Sequence, residues 1–450
     1  MLVIVSDLHL TDGTTGQTIG AGAFVDFRQR LQELACDASK RPNDGYRPIE
    51  RVELVLLGDI FDLIRSTKWS TEKLGEPGYV RPWDDPQSEL YVQKVEEIVE
   101  AILAHNAAAF AVLKGLQEGD LLQVPTTPGS SERTAVPVNT WYVLGNHDWM
   151  LHLPGAAYDA MRQKITDALG LANPPGPYPH DPAEAPWLMA LYGAHHVFAR
   201  HGDIFDPFNY DKEKGRDAAT LGDAIVVELI NQFPQEVGEQ MGDVLPPPFL
   251  AGLNELANVR PSLLVPAWVD ALLNNMQIPP QQAAQVKQIW DELAAAFLKL
   301  PFVREQDERF KLDAVDVMEV LLRLYDRVSV GTAAQVIRFV QEKVWRGNSS
   351  FAAYALQEQA YREQWAHHIV YGHTHHYEMI PLNKIYDGYE SLDQIYYNSG
   401  TWHPVHVLTK ADKDQFVFFQ VMTFMAFFQG DERRGRPFES WSGTLGVQPG

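Results

Sequence analysis

Short apolar runs that stop abruptly at polar, chemically loaded residues recur through the first 210 positions of the chain. Leu2–Val5 runs into Ser6-Asp7, Val52–Leu57 into Gly58-Asp59, and Trp141–Leu144 into Gly145-Asn146-His147-Asp148. His196–Ala199 runs into Arg200-His201-Gly202-Asp203, and a fifth run, His368–Tyr371, into Gly372-His373-Thr374-His375. Each run is four to six residues long, rich in β-branched or aromatic side chains, and ends at a turn signal, which predicts a buried strand. Between the runs the apolar spacing becomes helical, as over Phe24–Ala38 and Ser88–Leu116. This alternation predicts an α/β fold built on a layered sheet, whose ligands gather beyond the carboxyl ends of the strands. All five loaded loops would then meet on one edge.

The rhythm breaks from Asp211 to about Ala366. Leu221–Gln232, Gln281–Leu300, Ala314–Tyr325 and Thr332–Trp345 have helical spacing, punctuated by Pro246–Pro248 and Pro279-Pro280. The expectation is a discontinuous core, residues 1–210 and 366–429, interrupted by a mostly helical insertion, 211–365, that acts as a lid or an oligomerisation surface. Gln394–Tyr397 and Gln415–Phe428 read as strands that finish the core, Leu74–Pro86 and Gln123–Pro137 as long loops, and 430–450 as a polar tail.

Composition narrows the class. With 450 residues, 45% hydrophobic and 21% charged, the chain reads as an ordinary soluble enzyme with room for two or three structural units. Its net charge of −22 argues against nucleic acid and anionic membranes as general partners, because those surfaces are bound through Lys/Arg contacts to phosphate. Cys36 is the single cysteine, so no intramolecular disulfide forms, and its place in a helical pattern reads as a small buried hydrophobe. The opening MLVIVSDLHL lacks a basic stretch and meets Asp7 after one short run, so it reads as a strand, not a signal peptide. The longest late apolar run, Phe416–Phe428, falls short of the ~20 residues a membrane helix needs. A cytoplasmic location is the expectation.

The chemistry lies in the loaded loops taken together. Any one strand-end Asp or His can simply cap a helix or satisfy a turn. Five such blocks in order, each after a strand, point to divalent metal ions: oxygen and imidazole donors suit Mn, Fe, Zn or Co, and no clustered thiolates are present. Asp7 and His9, two apart at a strand end, can aim at one ion, as can His373 and His375. Two ions ~3.5–4 Å apart can clamp an in-line phosphoryl displacement and lower the pKa of a shared water.

Asp7-Leu8-His9, Gly58-Asp59-Ile60-Phe61-Asp62, Gly145-Asn146-His147-Asp148, His201 and Gly372-His373-Thr374-His375 resemble, in order, the DxH, GDxxD, GNHD/E, H and GHxH blocks of the calcineurin-like metallophosphoesterase superfamily. The resemblance covers roughly residues 1–210 and 366–428. It implies a layered β-sheet core of that type and a dinuclear centre, with manganese the first expected metal. Asp7, His9, Asp59 and His375 would hold one ion, and Asp59 would bridge to a second held by Asn146, His201 and His373. His147 would serve as phosphate donor or proton donor to the leaving group, oriented by Asp62. A bridging hydroxide would attack phosphorus in line. In motif style the chain is similar to the UDP-diacylglucosamine pyrophosphohydrolase branch, although that branch is much shorter and usually carries Arg where His147 stands. Leu63-Ile64 follows Asp62 in place of the Arg-Gly of phosphoprotein phosphatases, and DNA-repair exonucleases share two of the blocks.

The substrate implied is a small or nucleotide-linked phosphate compound. Arg200, Lys212, Lys214 and Arg216, around the start of the insertion, are candidates for its distal phosphate, and His376 for a direct contact. Each also has a plainer reading as a solvated or packed side chain. Asn398-Ser399-Gly400-Thr401-Trp402 reads as a turn that can also place Asn398 or Ser399 beside the site, and His403 is a further candidate near it. A non-catalytic scaffold of the same fold, bound through its insertion, is the rival from another class; a nuclease is the rival within the enzymes.

Overall fold

The computed structural model describes residues 1–118, 121–260, 264–309, 351–387, 390–412 and 415–445. The strands are β1 (Leu2–Val5), β2 (Val52–Leu57), β3 (Gln123–Pro125), β4 (Arg133–Ala135), β5 (Val138–Val143), β6 (Val197–Ala199), β7 (Val259–Arg260), β8 (His368–Tyr371), β9 (Tyr377–Asp387), β10 (Glu390–Ser399), β11 (Val405–Leu408), β12 (Phe416–Phe419), β13 (Val421–Phe427) and β14 (Phe438–Thr444). The helices that matter below are α1 (Ala21–Ala38), α2 (Glu89–His105), α3 (Ala107–Gln117), α4 (Ala156–Leu169), α5 (Pro186–Ala194), α6 (Leu221–Ile225), α7 (Gln232–Met241), α8 (Pro247–Asn254), α9 (Val265–Asn275), α10 (Pro280–Phe297) and α11 (Pro301–Arg309).

The chain is a mixed α/β protein whose core is two facing sheets. One has the order β14-β13-β1-β2-β5, the other β6-β8-β10-β9. Within them β1, β2 and β5 run parallel, as do β6, β8 and β10. The period of two along each strand decides the packing. Leu2, Ile4, Val55 and Leu57 turn inward to meet Val197, Ala199, Val370 and Tyr397 of the other sheet. Val3, Val5, Leu54 and Leu56 turn outward into a second apolar layer shared with Phe24 and Phe27 of α1, Val95 of α2 and Phe110 of α3. The far face of the second sheet, with Phe198, Ile369, Tyr371 and Tyr396, is covered by Phe351, Ala355 and Ala360. Strands buried on both faces have no polar side to show, which is why these segments read as continuous apolar runs. Each fully buried Leu, Ile or Val adds ~1.5–3 kcal/mol of transfer free energy. That rigid support matters for the loops at the strand ends.

Several elements differ from their expectation. Ser88–Leu116 is not one helix: α2 and α3 meet at Asn106 with a bend of 78°. The Asn106 side-chain amide donates to the carbonyls of Thr11 and Ile102, so the break is held by hydrogen bonds to the loop after β1. The apolar stretch Gln415–Phe428 divides at Gln420. Its first half, β12, pairs with β11, while β13 pairs with β1. The tail contributes a strand: β14 pairs along its whole length with β13, forming the edge of the first sheet. The loop Gln123–Pro137 contains the β3–β4 hairpin. The patterns Ala314–Tyr325 and Thr332–Trp345 lie outside the described residues.

The insertion is helical over α6 to α11, and its described apolar residues join the core's own cluster. Leu221, Phe233, Phe249 and Val286 belong to the same apolar cluster as Phe24 and Val95. It also contributes β7, which pairs in parallel with β11. A π-helical turn, Val226–Asn231, separates α6 from α7. Such turns re-aim a side chain; here the Asn231 amide donates to the carbonyls of Ile64 (3.0 Å) and Ser66 (3.3 Å), tying the insertion to the loop that follows Asp62. Among the described residues no single helix is long and apolar enough to cross a membrane.

Candidate metal centre

The five loaded loops converge beyond the carboxyl ends of β1, β2, β5, β6 and β8. The β1 and β2 loops continue side by side after their strands end: Asp7 N–H donates to Gly58 O (3.0 Å), His9 N–H to Asp59 O (2.8 Å) and Leu10 N–H to Ile60 O (2.9 Å). Asp7, His9, Asp59, His373 and His375 all have positive φ, between 46° and 69°. Non-glycine residues in that region cost on the order of 1–3 kcal/mol each and persist only where the surroundings over-determine them. Their concentration here, at the ends of buried strands, marks the loops as shaped for a purpose other than stability.

Glycines clear the space. Gly58 has φ of 81°, and a Cβ there would lie 2.3 Å from His201 Nδ1. At Gly145 a Cβ would lie 2.3 Å from Asp59 Oδ1 and 2.7 Å from the Asp59 backbone nitrogen; at Gly372 it would lie 2.5 Å from Asp7 Oδ2. Three loops therefore carry glycine because a neighbouring acid or imidazole occupies the position a side chain would take.

Two donor groups result, joined at Asp59. In the first, His9 Nε2 and His375 Nε2 are 2.9 Å apart, with Asp7 Oδ1 3.4 Å from His375 Nε2 and Asp59 Oδ2 3.6 Å from His9 Nε2. In the second, His201 Nε2 is 3.1 Å from Asp59 Oδ2 and 3.2 Å from Asn146 Oδ1, and His373 Nδ1 is 2.9 Å from the same Asn146 oxygen. All seven residues are buried or nearly so, the two histidines of the β8 loop being the least enclosed.

The outward-facing atoms of these side chains are engaged. His9 Nδ1 meets Asp62 Oδ2 (2.8 Å), His201 Nδ1 meets Leu57 O (3.2 Å), and His373 Nε2 meets Asp206 Oδ2 (3.0 Å). The Asn146 amide donates to Asn209 Oδ1 (3.2 Å), whose own amide donates to Asp206 Oδ2 (2.9 Å), so Asn146 turns its oxygen inward. Outer carboxylates and carbonyls on one ring nitrogen, with the other aimed inward, fix the tautomer in the way metal-binding histidines require. Together with an oxygen–imidazole donor set free of thiolate, this fits divalent Mn, Fe, Zn or Co. Asp206→Asn is expected to weaken metal affinity about 10–100-fold, the usual cost of losing such an outer partner; isothermal titration of the full chain with Mn²⁺ measures it.

Charge balance among the side chains differs between the two groups. Burial pushes His9 down to about 4, and burial with the nearby Arg260 guanidinium pushes His375 well below its usual range, so both are neutral. His9, its Nδ1 held by Asp62, has its lone pair on the inward Nε2, whereas the His375 lone pair lies on Nδ1, where it accepts from Arg260 Nε. In the second group burial opposes the His201 imidazolium, but Asp59 overrides it and carries His201 up to about 10; the same pairing holds Asp59 far below the ordinary carboxylate range. Burial raises Asp7 to about 6. A cation entering beside His201 therefore has a proton to displace.

His147 stands next to this centre. Its backbone N–H donates to Asp59 Oδ1 (2.8 Å) and its Nδ1 meets Asp62 Oδ1 (2.8 Å), leaving Nε2 as the nitrogen available to other groups. Asp62 thus serves His9 and His147 at once, and also pairs with Arg65 (3.3 Å). Burial disfavours the His147 imidazolium, yet Asp62 and Asp59 raise its pKa. Asp148 turns away and staples the loops: it accepts from Gly145 N–H, Ile60 N–H and the Tyr142 hydroxyl.

The candidate phosphate-binding cations lie differently. Arg200 is paired with Asp181 and Glu358 (3.2 Å each) and lies over the Phe198 ring; Arg216 is paired with Asp203 (2.7 Å) and donates to His180 O. Both serve the scaffold. Lys212 is exposed, Lys214 is exposed with its ammonium over the Phe302 ring, and His376 is exposed. Among the described residues the cations beside the centre are instead Arg65 and Arg260. Arg260, on β7, donates from Nε to His375 Nδ1 (3.2 Å), and burial followed by Arg65 lowers its pKa to about 9. Nothing in the local sequence of Val259-Arg260 marks it, since its place depends on β7 pairing with β11. His403 is buried near the His9 ring and meets Arg65 Nη1 (3.0 Å). The Asn398–Trp402 turn is a brace: the Asn398 amide donates to Gly372 O, Ser399 to Tyr371 O and Thr401 to Asp7 O.

No protein-family model matches the chain, and a search of curated proteins finds no match either.

Proposed function

We propose that the protein is a dinuclear-metal hydrolase of phosphoester or phosphoanhydride bonds, built on the layered core of the calcineurin-like metallophosphoesterases. The observation that carries this reading is the pair of donor groups sharing Asp59, with His147 beside them and held by Asp62. Asp7, His9, Asp59 and His375 would hold one ion, and Asp59, Asn146, His201 and His373 the other. When bound, a pair of divalent ions supplies Lewis-acid polarisation of a phosphoryl oxygen and a water of lowered pKa.

The chain's own side chains do the rest. Asp62 fixes the His147 ring through Nδ1, so Nε2 holds the proton given to the leaving oxygen or the hydrogen bond to the phosphoryl group. The raised pKa of His147 keeps that proton available near neutral pH. Arg260, brought in by the insertion, supplies a fixed positive charge for a substrate phosphate. The insertion packs into the core's own apolar cluster, which supports its role as a lid that limits substrate size. A net charge of −22 favours a small or nucleotide-linked phosphate compound over a polymer.

Manganese-reconstituted protein is expected to contain about two ions per chain and to hydrolyse bis-p-nitrophenyl phosphate or p-nitrophenyl phosphate, with activity lost to a chelator. Protein that takes up no metal and turns over neither reporter nor a nucleotide-linked diphosphate would overturn the reading.

A further inference from the structure

A second group of potential metal donors lies apart from this centre. His152 ends the short turn Trp149–His152, His180 closes the loop before α5, and Asp217 lies in the first segment of the insertion. Their donor atoms all fall within 4.8 Å of one another. His152 Nδ1 is 2.6 Å from Asp217 Oδ1, His180 Nε2 is 3.6 Å from the same oxygen, and the two ring centroids are 4.7 Å apart.

His180 is the independent pointer. It is 1% exposed, and neither of its ring nitrogens has a hydrogen-bond partner. Buried polar side chains are almost always satisfied, so an orphaned imidazole facing a second imidazole and a carboxylate calls for a ligand. Burial, then the neighbouring Arg216, lowers its pKa to about 3, so it presents a neutral ring. The Arg216 charge is itself answered by Asp203 at 2.7 Å.

We infer that His152, His180 and Asp217 form a third cation site, of the two-imidazole, one-carboxylate type, that takes a borderline dication such as Zn²⁺ and pins the base of the insertion to the core. The donor set suits Zn²⁺ or Co²⁺ and disfavours Mg²⁺ or Ca²⁺. Bonds of about 2.0–2.2 Å place tetrahedral donors roughly 3.3–3.6 Å apart. The 3.6 Å separation already meets this, and the 2.6 Å contact is a hydrogen bond that would open by under about 1 Å on exchange for an ion. Glu184 is 3.8 Å from His152 Nε2 but accepts from the backbone of His180 and Asp181, so it holds the loop and leaves the fourth position to water on the exposed Asp217 side. The loop that bears Asp217 also bears Asp206 and Asn209, which orient His373 and Asn146. An ion here would therefore hold the outer partners of the main centre in place. The inference stands on its own residues and does not depend on the phosphoesterase reading.

The test is calorimetric titration with Zn²⁺ of the full chain carrying Asp59→Asn and His201→Gln, which disable the main centre. About one Zn²⁺ per chain is expected. Adding Asp217→Asn or His152→Gln, both at solvent-accessible side chains, is expected to weaken that binding by more than the about 10–100-fold lost with an outer partner. The same two substitutions should abolish the tetrahedral Co²⁺ absorption bands, while circular dichroism without metal stays unchanged. In the otherwise unmodified chain, Asp217→Asn should lower total bound Zn²⁺ by about one equivalent. No zinc in the disabled chain, or zinc held equally well after Asp217→Asn, would overturn the inference.

Discussion

Asp59→Asn is expected to reduce hydrolysis of phosphodiester reporters by more than the about 10²–10³-fold that loss of a single electrostatic group costs. Asp59 is the one side chain common to both donor groups, 3.6 Å from His9 Nε2 and 3.1 Å from His201 Nε2. Its other oxygen receives the His147 backbone N–H, so the carboxylate also ties the β2 loop to the β5 loop. An amide keeps the volume but offers one neutral oxygen where two charged ones stood. It also removes the partner that raises His201, so that imidazole reverts toward the neutral form its burial favours. Elemental analysis after Mn²⁺ reconstitution, beside turnover, reads both effects. The expected pair of results is a metal content reduced from about two to one or none and no measurable turnover. A variant that keeps both ions and its rate would remove Asp59 from the centre of the mechanism.

His147→Asn should act on rate alone. The ring lies beside the donor groups, held by Asp62 at 2.8 Å, and none of the inward contacts of Asp7, His9, Asn146, His201, His373 or His375 depends on it. Metal content is therefore expected to stay at the wild-type level while kcat falls about 10²–10⁴-fold, the range for loss of a positioned acid or base. The loss should be steepest for alkyl esters, whose leaving groups need a proton, and small for p-nitrophenyl esters, which do not. The pH profile carries the sign. His147 has its pKa raised by Asp62 and Asp59, so its acid form persists above the ordinary histidine range. Wild-type turnover of alkyl esters should fall as pH rises through that value, and the variant should lose this limb. An unchanged limb in His147→Asn would assign the titration to another group.

How much of this was legible in the chain follows from what kind of interaction decides each feature. All five chemically loaded strand ends could be read directly, because a buried strand needs an unbroken apolar run and its end needs a turn residue. The positions of Gly58, Gly145 and Gly372 were visible as letters; their reason, a neighbouring donor within 2.5 Å of where a Cβ would stand, was not. Breaks inside apolar stretches were hidden as well. Helical periodicity continues through Asn106, and apolar character continues through Gln420, so only the hydrogen bonds of Asn106 and the different partners of β12 and β13 reveal the division.

Charge was the poorest guide. Lys212, Lys214, Arg200 and Arg216 cluster in sequence around His201, yet the two arginines are taken up by Asp181, Glu358 and Asp203, and the lysines are exposed. Among the described residues the cations buried beside the centre are Arg65, which follows Asp62 by three residues but also reaches His403, and Arg260, which meets His375 from a distant part of the chain. Hydrophobic period and turn chemistry are local properties, and a sequence determines them by itself; here they settle the α/β class, the loaded strand ends and the donor types they carry. Which cation meets which carboxylate, which histidine nitrogen faces inward, and that the insertion shares the core's apolar cluster are decided by contacts between segments far apart in the chain. Only the tertiary structure sets those, because Coulombic and hydrogen-bond partners are chosen by distance in space, not by spacing in sequence.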